Sequence, residues 1–378
     1  MTILHVMPNV SRAFGGPTES LIGYAQAARE QGFHVEVAAP VVEAEDRIWL
    51  SNELPDVAFH FFSSIGRHAW VLSPALWYWV WQHGGKYDAI HIHGLFNPIS
   101  SLSARIAVSR GYPTVMRPFG TLSRYTFSRR STLKQVYFRL LDRPALQQAS
   151  VHFTTAAERE EACRLPLHLN GRTHIVPPPW RSEVTAGTMD EKAASPTALF
   201  LSRLHPKKNV SGLLQAWRHV VDTTPTAQLW IAGDGRDDYV RRMKDRTHTL
   251  GLGDHVQFLG FVQGDEKERV LREAWTFVLP SHQENFGVAV LEAVAHGLPV
   301  VISPEVQLAD FIENHDLGIV VERDAQRIAR SLCSVFNSPQ DRKRIGREGP
   351  KAVQDVFGLD VVGRQLADMY VRTRRRSQ

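Results

Sequence analysis

Short runs of apolar, β-branched residues alternate with longer amphipathic stretches along the whole chain, and the series starts twice. Residues 3–7, 34–39, 89–93, 114–116 and 151–154 read as strands, and 198–201, 228–232, 256–259, 276–279 and 300–302 repeat the pattern. Helical patterns fill the gaps. Parallel strands need long crossovers, so this alternation builds a parallel sheet covered by helices, and two series give two sheets. Between them Val176-Pro177-Pro178-Pro179-Trp180 and a polar stretch to Ser195 interrupt the pattern, because consecutive prolines donate no ladder hydrogen bond and hold the chain extended. The expected organisation is an α/β chain with one domain over 1–176, a second over 177–358, and a closing helix over 359–378. That last segment has no strand after it and carries Arg372, Arg374, Arg375 and Arg376. In open parallel sheets ligands bind beyond the carboxyl ends of the strands, so the loops that follow strands are where chemistry belongs, and two such sheets imply a cleft.

The 378 residues are 43% hydrophobic and 22% charged, enough for two cores. Cys163 and Cys333 are the only cysteines, far apart in helix-like sequence, which gives neither a disulfide framework nor metal-ligand spacing. A reducing, cytoplasmic location is expected. Met1-Thr2-Ile3-Leu4-His5-Val6 reads as a first strand rather than an export signal. The longest apolar run, 69–81, is interrupted by Ser73 and Pro74 and falls short of the roughly 20 residues a spanning helix needs. A net charge of +5 favours an anionic partner without naming it. Gly233-Asp234-Gly235 lacks the third glycine of a dinucleotide fingerprint, which sets a redox domain aside.

The most informative segment runs from Leu279 through Pro280-Ser281-His282-Gln283-Glu284-Asn285-Phe286-Gly287 to Val288 and Glu292. A strand ends, a polar loop follows, and a helix is expected to open near Phe286. Its first amides would face a diphosphate with no side chain in the way at Gly287. Glu284 then precedes the helix, and Glu292 rides on it about 9 Å along the axis from Phe286. The two acids can hold hydroxyls on opposite sides of a diphosphate, although they read equally as a helix cap and a solvated charge. Ser202-Arg203-Leu204-His205-Pro206-Lys207-Lys208-Asn209 also follows a strand and precedes a helix, placing Arg203 and Lys208 where cations would neutralise a leaving diphosphate. In the first domain Phe14-Gly15-Gly16-Pro17 opens a helix after strand one, and Gly16 leaves room for backbone to approach a phosphate or sugar.

Together these three segments resemble the retaining family 4 glycosyltransferases of the GT-B fold, in which two Rossmann-like domains face a cleft. The likeness covers nearly the whole chain and is carried most specifically by Glu284-x7-Glu292, with Ser202-Arg203 through Lys208-Asn209, Ala232-Gly233-Asp234-Gly235 and Leu259-Gly260-Phe261-Val262 in support. It implies that Arg203 and Lys208 grip the diphosphate, Glu292 holds the ribose, and Glu284 with the amides of Asn285, Phe286, Gly287 and Val288 holds the transferred sugar. Backbone at Val262 would meet the base. It also implies that the last helix crosses back onto the first domain, and it makes His93, in His91-Ile92-His93-Gly94, the active-site histidine, leaving His91 as a core residue. One departure is plain: where many relatives carry an Asn-Gly pair after the linker strand, this chain has Pro177-Pro178-Pro179-Trp180.

Arg117, after a strand of the first domain, is a candidate contact for an acidic or phosphorylated acceptor. Between Arg105 and Arg143 the cations Arg110, Arg117, Arg124, Arg129, Arg130, Lys134 and Arg139 face one acid, Asp142, with Tyr125, Phe127, Tyr137 and Phe138 interleaved. That mixture suits an anionic membrane surface presenting a lipid-linked saccharide. No nucleic-acid motif accompanies the charge, so a nucleic-acid partner is not expected. The expected reaction is retaining transfer of a hexose from a UDP- or GDP-linked sugar, with no cofactor and no obligatory metal. A small soluble acceptor, or a basic nucleotide-binding protein without turnover, are the alternatives.

Overall fold

The computed structural model describes residues 1–66, 70–122, 132–169, 171–182 and 192–377. They fall into two compact units, one comprising Met1–Arg181 and Val356–Gln378, the other Ser182–Asp355. Arg124, Tyr125, Phe127, Arg129 and Arg130 lie outside the described residues.

The first unit is built on seven strands: β1 (Thr2–Val6), β2 (His34–Pro40), β3 (Ala58–Phe62), β4 (Ala89–His93), β5 (Thr114–Arg117), β6 (Ser150–Phe153) and β7 (Thr173–Ile175). They lie in the order β3-β2-β1-β4-β5-β6-β7, and every pairing is parallel. The central strands β1, β4, β5 and β6 are buried on both faces, as parallel strands between helices must be. Leu4, Val6, Ile90, Ile92, Met116 and Val151 pack one face, with Leu76 and Val80 of helix Pro74–His83 and Ile99 and Ala104 of helix Pro98–Ser109. Ile3, Val37, Ala89 and Val115 pack the other, under helices Gly16–Glu30 and Leu359–Ser377.

The last helix thus belongs to the first unit. Val362, Leu366, Met369 and Tyr370 are its buried stripe, spaced to lie on one side of a 3.6-residue helix. Gly363 lets it approach closely, since a Cβ there would sit 2.6 Å from the Ala27 carbonyl oxygen. The chain returns beside the linker, where the Trp180 amide donates to the Phe357 carbonyl at 2.6 Å.

The second unit carries β8 (Thr197–Leu201), β9 (Gln228–Ala232), β10 (Val256–Gly260), β11 (Thr276–Leu279), β12 (Val300–Ile302) and β13 (Gly318–Val320). Their order is β10-β9-β8-β11-β12-β13, again parallel throughout. Helix Val210–Thr223 lays Leu213, Leu214, Trp217 and Val220 inward, and Trp217 is fully buried. Three strands were not expected from the sequence. β3, β7 and β13 are edge strands and only half-buried; β7 and β13 are three residues long, and the apolar run of β3 is broken by His60. No helix among the described residues is long and apolar enough to cross a membrane. The apolar run at 69–81 resolves into helix Pro74–His83, started by Pro74 and by the Ser73 hydroxyl accepting from the Leu76 amide.

Candidate active site

Strand order reverses in each sheet at one place, between β1 and β4 and between β8 and β11, and such a switch point opens a crevice at the carboxyl edge. In the second unit the two flanking loops are those singled out by sequence, 202–209 and 280–287. They hold one another: the His282 amide donates to the Lys207 carbonyl at 2.7 Å, and Lys207 Nζ reaches Gln283 Oε1 at 3.3 Å. Lys208 and Glu284 form an ion pair in which less than a fifth of either side chain is exposed. Glu284 is pinned from behind by its own backbone, its amide donating to the Glu305 carbonyl at 3.1 Å and its carbonyl accepting from the Gln307 amide at 3.3 Å. Arg203 is exposed on the same loop.

Gly233 and Gly235 explain how the neighbouring loops come so close. A Cβ at Gly233 would lie 2.0 Å from the Ser202 carbonyl oxygen, and one at Gly235 2.2 Å from that of Leu204. The Leu204 amide donates to the Asp234 carbonyl at 2.7 Å across this contact. These glycines therefore serve backbone packing that aims Arg203. Val262, two residues beyond β10, is buried, while its neighbour Phe261 is 71% exposed.

The helix carrying Glu292 opens at Val288, two residues later than the sequence suggested. Gly287 is its cap, with φ 97° and ψ 51°, a left-handed geometry that excludes Phe286 from the helix and that glycine adopts without steric cost. Phe286 is instead a buried anchor. The first helical bonds run from the Val290 and Leu291 amides to the Gly287 carbonyl at 2.8 and 3.1 Å, so the positive end of the helix begins at Gly287 and Val288. Glu292 lies one turn in, about 6 Å along the axis from Val288. Its carboxylate pairs with Lys267 Nζ at 2.6 Å, from helix Gly264–Glu273. Sequence reasoning missed Lys267, whose distance of 25 residues from Glu292 gave no periodic signal. It also missed Arg323, which binds Glu305 at 2.5 Å and contacts the His282 ring.

In the first unit Gly16 is the exposed first residue of helix Gly16–Glu30, with open space where a side chain would stand. His93 ends β4 and is fully buried. Its Nε2 lies 2.9 Å from His5 Nδ1, and its ring stacks on His91 at 4.2 Å. His91 Nδ1 meets the Tyr370 hydroxyl at 2.9 Å, and its Nε2 lies 3.1 Å from His152 Nδ1. His152 Nε2 is 2.7 Å from the Val176 carbonyl, to which it must donate. That fixes the tautomers in turn: His152 Nδ1 accepts from His91 Nε2–H, and His91 Nδ1 accepts from Tyr370. Burial, then neighbouring imidazoles and Arg117, hold His91 and His93 well below the ordinary imidazole range. A neutral His93 can bond a hydroxyl but brings no positive charge to a transition state.

Arg117 pairs with His93 across β4 and β5. Its guanidinium is buried between the rings of Tyr24 and Phe119, 4.6 and 4.3 Å from their centroids, and reaches Thr154 Oγ1 at 3.4 Å. An acceptor meeting Arg117 from solvent would first have to displace Phe119, which is held at φ 53°. His5, His91 and His93 bring ring nitrogens within 4.8 Å of one another, the geometry of a metal-ligand group among the described residues. His5 Nδ1, His93 Nε2 and both nitrogens of His91 are engaged with one another and with Tyr370 and His152, while His5 Nε2 and His93 Nδ1 are buried without a partner, and the buried Arg117 cation opposes a second positive charge there.

Comparison with known proteins agrees with this architecture. Residues 15–179 match the family description "Glycosyl transferase 4-like domain", and residues 189–352 match "Glycosyl transferases group 1". A phosphatidyl-myo-inositol mannosyltransferase of Mycobacterium leprae is 25% identical over 365 residues, 94% of this chain and 92% of that protein. An uncharacterized glycosyltransferase of Methanocaldococcus jannaschii is 32% identical over 173 residues, but these span 46% of this chain and 44% of that one. Among solved structures, HepE of Anabaena in complex with UDP superposes with a TM-score of 0.79 at 19% identity, covering 98% of this chain and 100% of that one. Sucrose-phosphate synthase of Thermosynechococcus elongatus gives 0.74 at 18% identity over 98% of both chains. With two parallel Rossmann-like sheets and family matches over both units, the chain belongs to the family 4 type of GT-B glycosyltransferases.

Proposed function

We propose that this transferase moves a hexose from a UDP- or GDP-linked donor to a hydroxyl of a lipid-linked saccharide, with retention at the anomeric carbon, in assembling a surface polysaccharide at the inner face of the cell membrane. The observation that carries the donor half is the pair of carboxylates around one helix start, Glu284 against Lys208 and Glu292 against Lys267, at the switch point of the second sheet. Donor diphosphate would take the helix end at Gly287 and Val288, with Arg203 and Lys208 as its counter-charges. Glu292 then binds ribose hydroxyls, and Glu284 with the backbone from Asn285 to Val288 binds the sugar. Val262 backbone meets the base. HepE of Anabaena, solved with UDP and glucose, supports a nucleotide-sugar donor.

In the reaction the acceptor hydroxyl oxygen bonds to the anomeric carbon on the face from which the diphosphate leaves. The bond from that carbon to the diphosphate oxygen breaks, its electron pair stays on the phosphate, and the same phosphate takes the acceptor proton. Arg203, Lys208 and the helix amides hold the negative charge that develops, the largest single contribution a site of this kind makes. Neutral His93, from the first unit, would hold a donor hydroxyl. The residues present supply this neutralisation without a metal ion. The deciding experiment incubates the protein with a panel of UDP- and GDP-sugars and a lipid-linked saccharide, and reads nucleotide release and anomeric configuration. Release of UDP or GDP with an α-linked product from an α-linked donor is expected. A β-linked product overturns retention, and no release from any donor overturns the enzymatic reading.

A further inference from the structure

From residue 57 to residue 141 the chain has one acidic residue, Asp88, against ten lysines and arginines. Asp88 is occupied at the far edge of the sheet, accepting from the Thr2 amide at 2.7 Å and pairing with Arg374 at 2.9 Å. The next acid, Asp142, is fully buried, with its oxygens taken by the Ser101 hydroxyl at 2.5 Å and the Phe96 amide at 3.0 Å. Neither offsets the surface charge, so Arg110, Lys134 and Arg139 stand exposed without an acid from this span beside them.

The same span gathers exposed apolar side chains. Of thirteen large hydrophobic residues exposed among the described residues, eight lie between 65 and 140. Leu133, Val136 and Leu140 are 70%, 45% and 65% exposed, at a spacing that sets them along one side of helix Thr132–Tyr137 and the wider turn Phe138–Asp142 that continues it. Phe138 on the opposite side is buried against Phe96 at 5.4 Å, so the outward stripe is not a core turned inside out. Trp70 meets Tyr137 edge-on at 5.6 Å. That contact joins the stripe to the small antiparallel bridge of Ile65 and Leu72, both exposed. Farther along the same helical layer Tyr78 and Trp81 stack at 6.0 Å, with Arg110 5.1 Å from the Trp81 ring.

We propose that this face, centred on Leu133, Val136 and Leu140 with Lys134 and Arg139 beside them and continued by Tyr78, Trp81 and Arg110, is the surface by which the protein rests on an anionic lipid bilayer. Apolar side chains enter the boundary between headgroups and acyl chains, tryptophan and tyrosine sit at headgroup level, and the cations meet the phosphates. Depletion of acids favours a polyanionic partner. The apolar stripe between the cations chooses a bilayer over a nucleic acid, whose grooves and backbone reward polar contacts. The inference deepens the lipid-linked reading of the acceptor by naming the surface that would bring the enzyme to it.

The test is co-sedimentation of the full chain with vesicles, in the absence of donor and acceptor. Phosphatidylglycerol mixed into phosphatidylcholine should retain the protein at least tenfold better than phosphatidylcholine alone. Rising salt should release it, because headgroup attraction decays over about 8 Å at physiological ionic strength. Lys134→Gln with Arg139→Gln should weaken retention by up to about 30-fold, each charge near such a surface contributing up to about fivefold. Leu133→Glu with Leu140→Glu should abolish it, and both double variants should keep wild-type donor hydrolysis in solution. Equal retention on neutral vesicles, no retention on either, or retention unchanged in both variants overturns the proposal. So does a dimer that Leu133→Glu disperses, or salt-sensitive RNA capture in place of vesicle binding. The acceptor reading fails separately, if membrane-bound wild type transfers to a soluble saccharide as readily as to a lipid-linked one.

Discussion

Glu284 and Glu292 are each held by a lysine, and the two pairs differ in what a ligand must do to them. Lys208 comes from the loop that should meet the diphosphate, so donor binding draws it from Glu284 and frees that carboxylate for the sugar. Lys267 sits on a separate helix and can keep Glu292 oriented toward a ribose throughout. Glu292→Gln should therefore raise the KM for donor by about 10- to 100-fold with kcat little changed, as expected for loss of a charge-assisted hydrogen bond to a constant part of the substrate. Glu284→Gln should lower kcat by a similar factor, because its proposed contact is with the sugar whose charge changes during transfer. Steady-state kinetics in both variants checks the split, and equal effects on KM and kcat in each would erase the distinction. With Arg203 and Lys208 as the proposed counter-charges, activity should survive EDTA; loss restored only by Mg²⁺ or Mn²⁺ would show that they do not suffice. The sequence singled out both acids and both cations proposed for the donor, Arg203, Lys208 and Glu284 because their loops lie between a strand and a helix, and Glu292 because it rides on the helix that follows. It could not show Lys267 or the partners of His93. Those contacts join residues from strands and helices far apart in the chain, and no spacing rule connects His5 to His93 or His152 to His91.

At the scale of elements, two glycines decide whether helices can sit where the chemistry needs them. Gly287 caps the donor helix at φ 97°, and a Cβ there would also stand 3.1 Å from Val306 Cγ1. Gly287→Ala should cost about 1–2 kcal/mol from the left-handed backbone alone and tilt the helix start, so donor binding should weaken more than stability. Isothermal titration of UDP and of GDP alongside thermal melting checks this, and unchanged affinity for both nucleotides would contradict it. Gly363 is the counterpart in the last helix, where bulk would push against the Ala27 carbonyl. Gly363→Leu should destabilise the first unit by about 1–3 kcal/mol, the usual cost of overpacking, read as a drop in its melting temperature with the second unit's transition unmoved. The central strands were legible because burial on both faces demands continuous apolar runs such as Ala89-Ile90 or Thr276-Phe277-Val278-Leu279. β7 and β13, three residues each, were not, since pairing on one edge leaves their side chains only half-buried and free of that demand. The helix start was misplaced because Phe286, apolar and next to a loop, looks like a first helical residue until the left-handed Gly287 is seen.

Across the whole molecule the two units should answer acid differently. His5, His91, His93 and His152 are all fully buried in the first unit, and burial is the leading cause that depresses each of them, His5 to about 3. In the unfolded chain these imidazoles titrate near 6.5, so below that pH the unfolded state binds protons that the folded state refuses. Stability therefore rises with pH across this window: it is fully present above about 6.5 and lost as pH falls below it. Each such imidazole loses about 1.4 kcal/mol per pH unit once well below its unfolded value, or roughly 2 kcal/mol by pH 5. In the second unit His205 and His282 are also lowered, but both are exposed residues that protonate without unfolding. Calorimetry between pH 7 and pH 5 should accordingly resolve two transitions, with the one belonging to the first unit moving down steeply and the other nearly fixed. His5→Asn should shallow the slope of the first transition by about one proton's worth while lowering its midpoint at pH 7. Transitions that move together, or a first-unit transition indifferent to pH in this range, would show that the buried histidines take up protons in the folded protein.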